Sequence, residues 1–120
     1  MAAARFGFLP VRSHNGVGWR LLTTNNRDLG RSYTSYPDLA SCRSAAHLAR
    51  EQAGQMRVAL VRSSATAWRW RLLTGDTVVV VASRDYHRRL QAERSASVML
   101  SLLPEAELLE LGLQRPRTWS

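Results

Sequence analysis

The amino-acid sequence predicts an α+β fold in which tandem β-β-β-α repeats form one mainly antiparallel sheet with two helices packed on one face. The first observation is a self-match, because the segments VRS and WRLLT occur in order at residues 11–13 and 19–23 and again at 61–63 and 70–74. The second is that each copy has extended, period-two stretches followed by a stretch with helical spacing. Fixed spacing of motifs over about thirty residues indicates duplication of a supersecondary unit.

The first copy predicts three strands. Residues 6–13 read as an extended segment, residues 14–16 (HNG) as a hairpin turn, and residues 18–23 as a second strand with alternating character. Asn25 and Asn26 suit the next turn because Asn tolerates the left-handed backbone region. Residues 28–32 then predict a short third strand.

A helix is predicted next. Pro37 fits a first helical turn, and Asp38 is favourably placed near the positive end of the helix dipole. Gly54 is well placed to end the helix. Apolar residues recur between them at spacings of three and four, the pattern of a buried helical face; they are Leu39, Cys42, Ala45, Ala46, Ala49 and Ala53.

The second copy repeats this plan, with strands predicted over residues 56–63 and 68–74. The unbroken valine run at 78–81 predicts a strand that is buried on both faces or paired centrally. A helix is predicted from about residue 90 to residue 103, where Pro104 ends it.

The length of the chain suits one domain, predicted at residues 1–113. Its two pseudo-repeats cover about 5–54 and 56–104. The stretch 105–113 is either a short third helix or an added strand, and residues 114–120 are predicted to form a flexible tail.

The charge of the chain is strongly positive. All 17 basic residues are Arg, and with nine acidic residues they give a net charge of +8. Arg grips phosphate bidentately and stacks on bases, but the joint absence of Lys and Ile fits the codon bias of a GC-rich genome better than selection for binding. The excess positive charge still predicts attraction to polyanions at low salt.

The composition also constrains the compartment. A single cysteine, Cys42, cannot form an internal disulfide, so a cytoplasmic location is the default expectation. Residues 1–10 are too short for the apolar region of a signal peptide, and no stretch approaches the roughly twenty apolar residues of a membrane span. We therefore expect no membrane association.

Short motifs in both copies carry a family resemblance. They are Trp19-Arg20-Leu21 with Ser32 and Tyr36 in the first copy, and Trp70-Arg71-Leu72 with Ser83-Arg84-Asp85-Tyr86 in the second. In this the chain resembles the YegP-like domains of unknown function, although Asn25-Asn26 and Gly75-Asp76 replace the family's usual Asn-Gly turn. The resemblance covers nearly the whole chain except the tail. It implies tandem copies that share one antiparallel sheet, and it brings no catalytic residues.

Catalytic and metal-binding patterns are absent from the sequence. The histidines His14, His47 and His87 lack the paired spacing of zinc sites. Cys42 falls on the apolar side of the first helix, where a free cysteine packs as a small hydrophobe. There is no glycine-rich phosphate loop, nucleophile elbow or paired-carboxylate signature. We therefore expect no enzymatic activity, no metal and no cofactor.

Alternation assigns the tryptophans and arginines of the second strands to opposite faces. Trp19 and Leu21, and likewise Trp68, Trp70 and Leu72, form a core-facing stripe under the helices. The other face then carries Arg20, Arg69 and Arg71. It is either a platform for phosphate groups, or an ordinary solvated face or half of a homodimer interface.

A second cluster of cations lies at the start of the second helix, where Arg88-Arg89 align with Pro37-Asp38 of the first copy, with Arg84 and His87 beside them. Cations oppose the dipole there unless an anion binds, so the cluster is a candidate phosphate or carboxylate site. The alternative is that Asp85 and Glu93 neutralise it within the fold.

Two functions lead the interpretation of the sequence, and a small-molecule enzyme with a site assembled from scattered residues is a third. The first is a non-catalytic binding or accessory module with nucleic acid or a ribonucleoprotein as its polyanionic partner. Its candidate binding residues are Arg20, Arg69, Arg71, Arg84, His87, Arg88 and Arg89. The second is a structural homodimer or protein-interaction domain that uses the open sheet face or the C-terminal Leu108-Leu109-Leu111 element.

Overall fold

The computed structural model describes residues 4–11 and 15–108. In the first half of the chain, three strands precede a helix that ends in a short 3-10 turn. These elements are β1 (Ala4–Val11), β2 (Gly16–Thr23), β3 (Asp28–Ser32), α1 (Leu39–Gln52) and a 3-10 turn (Ala53–Gln55).

The second half of the chain repeats this order of elements. They are β4 (Arg57–Ser64), β5 (Ala67–Thr74), β6 (Thr77–Ala82), α2 (Arg89–Leu102) and a 3-10 turn (Leu103–Glu105). Strand β3 occupies the predicted residues 28–32, and both helices lie within two residues of their predicted starts.

The strands form one antiparallel sheet in the order β1-β2-β3-β6-β5-β4. The two halves meet where β3 pairs with β6, with Gly30 opposite Ala82 and Ser32 opposite Val80. The valine run of β6 is therefore paired centrally, as its sequence predicted. The predicted fold class, α+β with one antiparallel sheet and two helices, is confirmed; the duplication itself stays a prediction.

The hairpin between β5 and β6 is one residue shorter than the hairpin between β2 and β3, which corrects the alignment of Arg88-Arg89 with Pro37-Asp38 by one residue. Arg20 lies opposite Arg31 in the first half, whereas Arg71 lies opposite Val81 in the second, so the second connection is one residue shorter. Its turn uses Gly75 at a φ of +59°, where glycine avoids steric strain. From the third strand onward, the equivalent residues are therefore 50 and not 51 positions apart, and Tyr36 matches Tyr86.

The core lies between one face of the sheet and the two helices. Trp19, Leu21, Trp70 and Leu72 are fully buried on that face, as the alternation predicted. The helices meet them mainly with small or flexible side chains, which lets the helix backbones approach the tryptophans closely. Those helical residues are Cys42, Ala46, Ala49, Ala96 and Met99.

The first helix begins two residues after Pro37, which the sequence predicted to lie in the first helical turn. Asp38 is the N-cap and accepts a hydrogen bond from the Ser41 backbone N–H at 2.7 Å, so Pro37 precedes the helix. Pro104 lies within the 3-10 turn that prolongs α2. It therefore ends the α-helical hydrogen bonding but not the helical path of the chain.

The segment after the second 3-10 turn runs beside the sheet edge. Glu107 accepts a hydrogen bond from the Phe6 N–H and donates one to the Ala4 carbonyl, both at 2.9 Å, in a parallel bridge next to β1. Leu108 packs against the core. The rest of the predicted C-terminal element, with Leu109 and Leu111, and the predicted tail at 114–120 lie outside the described residues.

Among the described residues, neither helix has the length and apolar character that crossing a lipid bilayer requires.

Candidate polyanion-binding face

The sheet face opposite the helices carries a row of arginines across neighbouring strands. Arg20 of β2 lies directly opposite Arg31 of β3, Arg31 lies opposite Val81 of β6, and Val81 lies opposite Arg71 of β5. Directly opposed residues of antiparallel strands project to the same face. Arg20, Arg31 and Arg71, hereafter the arginine row, thus share the open face.

Asp28 neutralises one end of the arginine row. Its carboxylate lies 3.5 Å from the guanidinium of Arg20 and 3.5 Å from that of Arg31. It also accepts a hydrogen bond from the Ser83 hydroxyl, which joins the two halves of the sheet. One carboxylate is therefore shared between two guanidiniums at this end of the row.

Arg71 is held by an aromatic ring. Its guanidinium carbon lies 6.0 Å from the centre of the Tyr33 ring, a cation–π contact. Arg71 makes no ion pair within the described part of the chain. Tyr33 itself is 52% exposed, so this end of the row combines an accessible ring with an unneutralised cation.

Two grooves flank Tyr33 on the open face. The first, of ≈ 430 Å³, is lined by Gly18, Arg20, Asp28, Arg31 and Tyr33 among others. The second, of ≈ 580 Å³, is lined by Tyr33, Arg62, Arg69, Arg71 and Asp85 among others. Tyr33 therefore forms a ridge between two basic grooves.

Arg69 is the candidate arginine with the most direct acidic partner. Its Nε donates to Asp85 Oδ1 at 2.5 Å. Hydrogen bonds from Arg69 and Ser63, with the positive charges of Arg69 and His87, hold the pKa of Asp85 below its ordinary value despite some desolvation. Arg69 and Asp85 form an internal ion pair at the rim of the second groove, so Arg69 contributes less free charge than Arg71.

The cationic side chains near the start of α2 contact different partners. Arg89 lies 3.5 Å from Glu93, while Asp85 turns to Arg69. The predicted neutralisation by Glu93 thus holds for Arg89, whereas Asp85 faces the open side of the sheet. Arg84 lies with its guanidinium carbon 5.1 Å from the Tyr86 ring centre.

The two helix N-termini differ in their capping. Asp38 caps α1 and the accepted hydrogen bond holds the pKa of its carboxyl below its ordinary value. At the equivalent position of α2, Arg88 makes no side-chain capping hydrogen bond. The predicted asymmetry between the two helix starts is therefore present, with Arg88 and His87 both exposed.

Trp68 corrects one sequence-based assignment. Strand alternation predicts that Trp68 belongs to the buried stripe, yet it is only half-buried. The guanidinium carbons of Arg62 and Arg89 lie 4.9 and 5.7 Å from its ring centre. Trp68 lies near the end of the sheet, where charged residues cover it in place of apolar side chains.

Sequence reasoning missed Arg31 and Tyr33 as members of the open face. Arg31 could have been found because it alternates with Gly30 and Ser32 within the short strand predicted at 28–32. Tyr33 follows the last residue of β3, so its side could not be read from strand alternation. Arg62, which sequence reasoning also missed, lies opposite Trp68 and lines the second groove at the end of the sheet.

Cys42 and His47 are both held in structural contacts. Cys42 is fully buried, and desolvation raises the pKa of its thiol to about 12. His47 is exposed and lies 2.8 Å from Glu51 on the same helix. Within residues 4–11 and 15–108, no group of three or more His, Cys, Asp or Glu side chains is arranged to hold a metal ion.

These features define an α+β domain with an open six-stranded antiparallel sheet and a basic exposed face. The same fold occurs in the solution NMR structure of YegP from E. coli, a protein of unknown function. The two structures align with a TM-score of 0.65 at 14% sequence identity, over 90% of this chain and 92% of that one. The resemblance predicted from the sequence is thus confirmed at the level of the fold. No protein family and no curated protein matches the sequence.

Proposed function

We propose that the chain is a non-catalytic binding module that holds single-stranded nucleic acid across the open face of its sheet. The observation that carries this proposal is the arginine row beside the exposed ring of Tyr33. Proteins that hold single strands combine a basic surface along the backbone with aromatic rings on which bases stack. On the open face of this sheet, the guanidinium of Arg71 lies against the exposed ring of Tyr33, so a basic group and an aromatic ring are adjacent.

The state of each arginine supports phosphate binding. A guanidinium that is paired with a carboxylate has its charge cancelled and some of its N–H donors engaged. A guanidinium that rests on a ring, as Arg71 does on Tyr33, keeps its donors available for a phosphate. Arg71 is thus the expected principal phosphate contact, and Arg20 and Arg31 add a weaker attraction because they share Asp28.

The exposed ring favours a single strand over a duplex. A base can stack on Tyr33 only if it is not already paired within a helix, since the bases of a duplex are stacked on each other. The grooves on both sides of Tyr33 then offer space for the nucleotides before and after the stacked base. We expect little sequence preference, because stacking and phosphate contacts are available to every base.

The test is fluorescence anisotropy of labelled single-stranded RNA and DNA, with the matching duplexes, over a series of salt concentrations. We expect single strands to bind more tightly. Replacing Arg71 by Ala should lower the log–log salt slope by about 0.7, the value for one phosphate contact on a single strand. Tyr33→Ala should weaken binding about tenfold with an unchanged slope.

Arg94→Ala is the matched control, because Arg94 is exposed on α2 and its loss changes the net charge as much as Arg71→Ala does. Equal weakening by the two variants would show that net charge alone drives binding. Absence of binding at low salt would exclude the proposal. A dimer seen by light scattering in that case would support the interaction domain that the open face also allows.

A further inference from the structure

We propose that the bound strand continues from the second groove around the end of the sheet onto a second contact site. This site, hereafter the Trp68 patch, consists of Arg62, Trp68, Arg84, Tyr86 and Arg89. The inference rests on the proposed function and adds a path and a longer footprint to it. The patch lies toward the helix side of the sheet, away from the arginine row.

Arg62 connects the two sites. It lines the second groove of the open face, and its guanidinium carbon lies 4.9 Å from the centre of the Trp68 ring. It is also the residue opposite Trp68 in the pairing of β4 with β5. A phosphate bound at Arg62 would therefore be in reach of both the groove and the Trp68 patch.

The two aromatic residues of the Trp68 patch are paired through their backbones. The Trp68 N–H donates to the Tyr86 carbonyl at 2.7 Å, and the Tyr86 N–H donates to the Trp68 carbonyl at 2.8 Å. The Tyr86 hydroxyl is in turn 2.7 Å from the Ser95 hydroxyl of α2. The patch is thus built on paired backbone, which holds its shape before a ligand arrives.

Each ring carries at least one guanidinium. Arg62 and Arg89 lie over Trp68, and Arg84 lies over Tyr86. Among the described residues, Arg62 and Arg84 form no ion pair, while Arg89 has Glu93 at 3.5 Å. Rings orient these guanidiniums without cancelling their charge, so the patch offers in-plane N–H donors to successive phosphates.

A path through both sites makes the affinity depend on the length of the strand. Short oligonucleotides can fill the open face alone, whereas longer ones also reach the Trp68 patch. We expect a second gain in affinity as oligouridylate is lengthened over roughly 4 to 16 nucleotides, the range of site sizes known for single-strand-binding folds. The gain should be sensitive to salt, because it comes from phosphate contacts.

The experiment compares the wild-type chain with the double variant Arg84→Ala, Arg89→Ala, whose two residues belong to the patch and line neither groove, by anisotropy across that length series. The double variant should bind the shortest oligonucleotides that bind the wild type nearly as well, and it should lose the second gain. Its salt slope on long strands should fall by about 1.4, or 0.7 for each lost contact. Trp68→Leu, checked for folding by circular dichroism, should lose the same gain if the ring positions the guanidiniums.

The control is the double variant Arg57→Ala, Arg94→Ala, which removes the same charge from positions outside the patch. If both double variants lose the gain equally, or if neither does, the second site is refuted. Should Arg71→Ala still weaken binding of short strands in that case, the proposed function stands without the extended path. A wild-type chain that binds no oligonucleotide of any length refutes both.

Discussion

The indole N–H of Trp70 is buried under α2 and needs an acceptor there, because an unpaired buried donor is costly. Ser95 supplies it, with its Oγ 2.9 Å from Trp70 Nε1. The same hydroxyl lies 2.7 Å from the Tyr86 hydroxyl. One small polar residue thus connects the centre of the core to the Trp68 patch at the surface.

Replacing Ser95 by Ala should lower the free energy of unfolding by about 1–3 kcal/mol, since it leaves the Trp70 N–H without a partner. Urea denaturation followed by tryptophan fluorescence measures this. Ser44→Ala is the control, because Ser44 is exposed on α1 and its loss should change the free energy by no more than about 0.5 kcal/mol. Equal effects of the two substitutions would show that the Trp70 hydrogen bond adds nothing to stability.

At the scale of secondary-structure elements, strand β3 passes closely beneath α2. A Cβ atom at Gly30 would lie 2.6 Å from the Trp70 ring and 3.2 Å from Met99 Cε. Both neighbours are fully buried, so neither can move aside freely. The glycine is what lets the central strand and the second helix pack against each other.

Gly30→Ala should therefore destabilise the chain by about 1–3 kcal/mol, the usual cost of overpacking a core. Gly54→Ala offers a matched comparison, because a Cβ there has no neighbour within 4 Å, and it should be neutral or stabilise by up to about 1 kcal/mol. Thermal denaturation of both variants measures the two changes in stability. A stable Gly30→Ala protein would mean that the packing of β3 under α2 is looser than described.

Capping of α1 makes part of the stability depend on pH. The Ser41 N–H holds the pKa of the Asp38 carboxyl below its unfolded value of about 3.8. This contribution is therefore present above the unfolded pKa and is lost as pH falls through the folded one. Asp38→Ala should lower the melting temperature at pH 7, and the difference from wild type should shrink below about pH 4.

Differential scanning calorimetry from pH 2 to 8 measures the two melting curves. Arg88→Asp is the converse change, since it introduces the same cap at the equivalent position of α2 and should stabilise by about 1 kcal/mol at pH 7. A difference between Asp38→Ala and wild type that stays constant down to pH 2 would contradict the assignment to the ionised carboxylate.

At the scale of the whole molecule, the sequence predicted the buried stripe because alternation and residue type agree in the strands of Trp19 and Trp70. It did not predict the surroundings of Trp68, which depend on the position of an edge strand and on the start of α2. The hairpin between β5 and β6 is one residue shorter than the hairpin between β2 and β3, as the pairing of Arg71 with Val81 shows. This difference moves the alignment of the two helices by one residue. Side-chain pairings across the sheet follow from that register, so the partners of the arginines could not be predicted.

Asp28 has two roles: it links the two halves of the sheet, and it reduces the positive charge of the open face. It contacts Arg20 and Arg31 on its own half and accepts from Ser83 of the other. The negative charge of Asp28 lowers the positive potential of the arginine row. Removing that charge should therefore strengthen the attraction to a polyanion. The same removal takes away a link across the junction between β3 and β6.

Asp28→Asn should accordingly raise the affinity for single-stranded RNA severalfold at about 0.1 M salt, and it should lower the urea midpoint of unfolding. Asp76→Asn makes the same change of charge at an exposed turn. If only net charge attracts the strand, the two variants gain equally. A larger gain for Asp28→Asn locates the bound strand at the arginine row, because a charge acts most strongly on phosphates within a Debye length of about 10 Å.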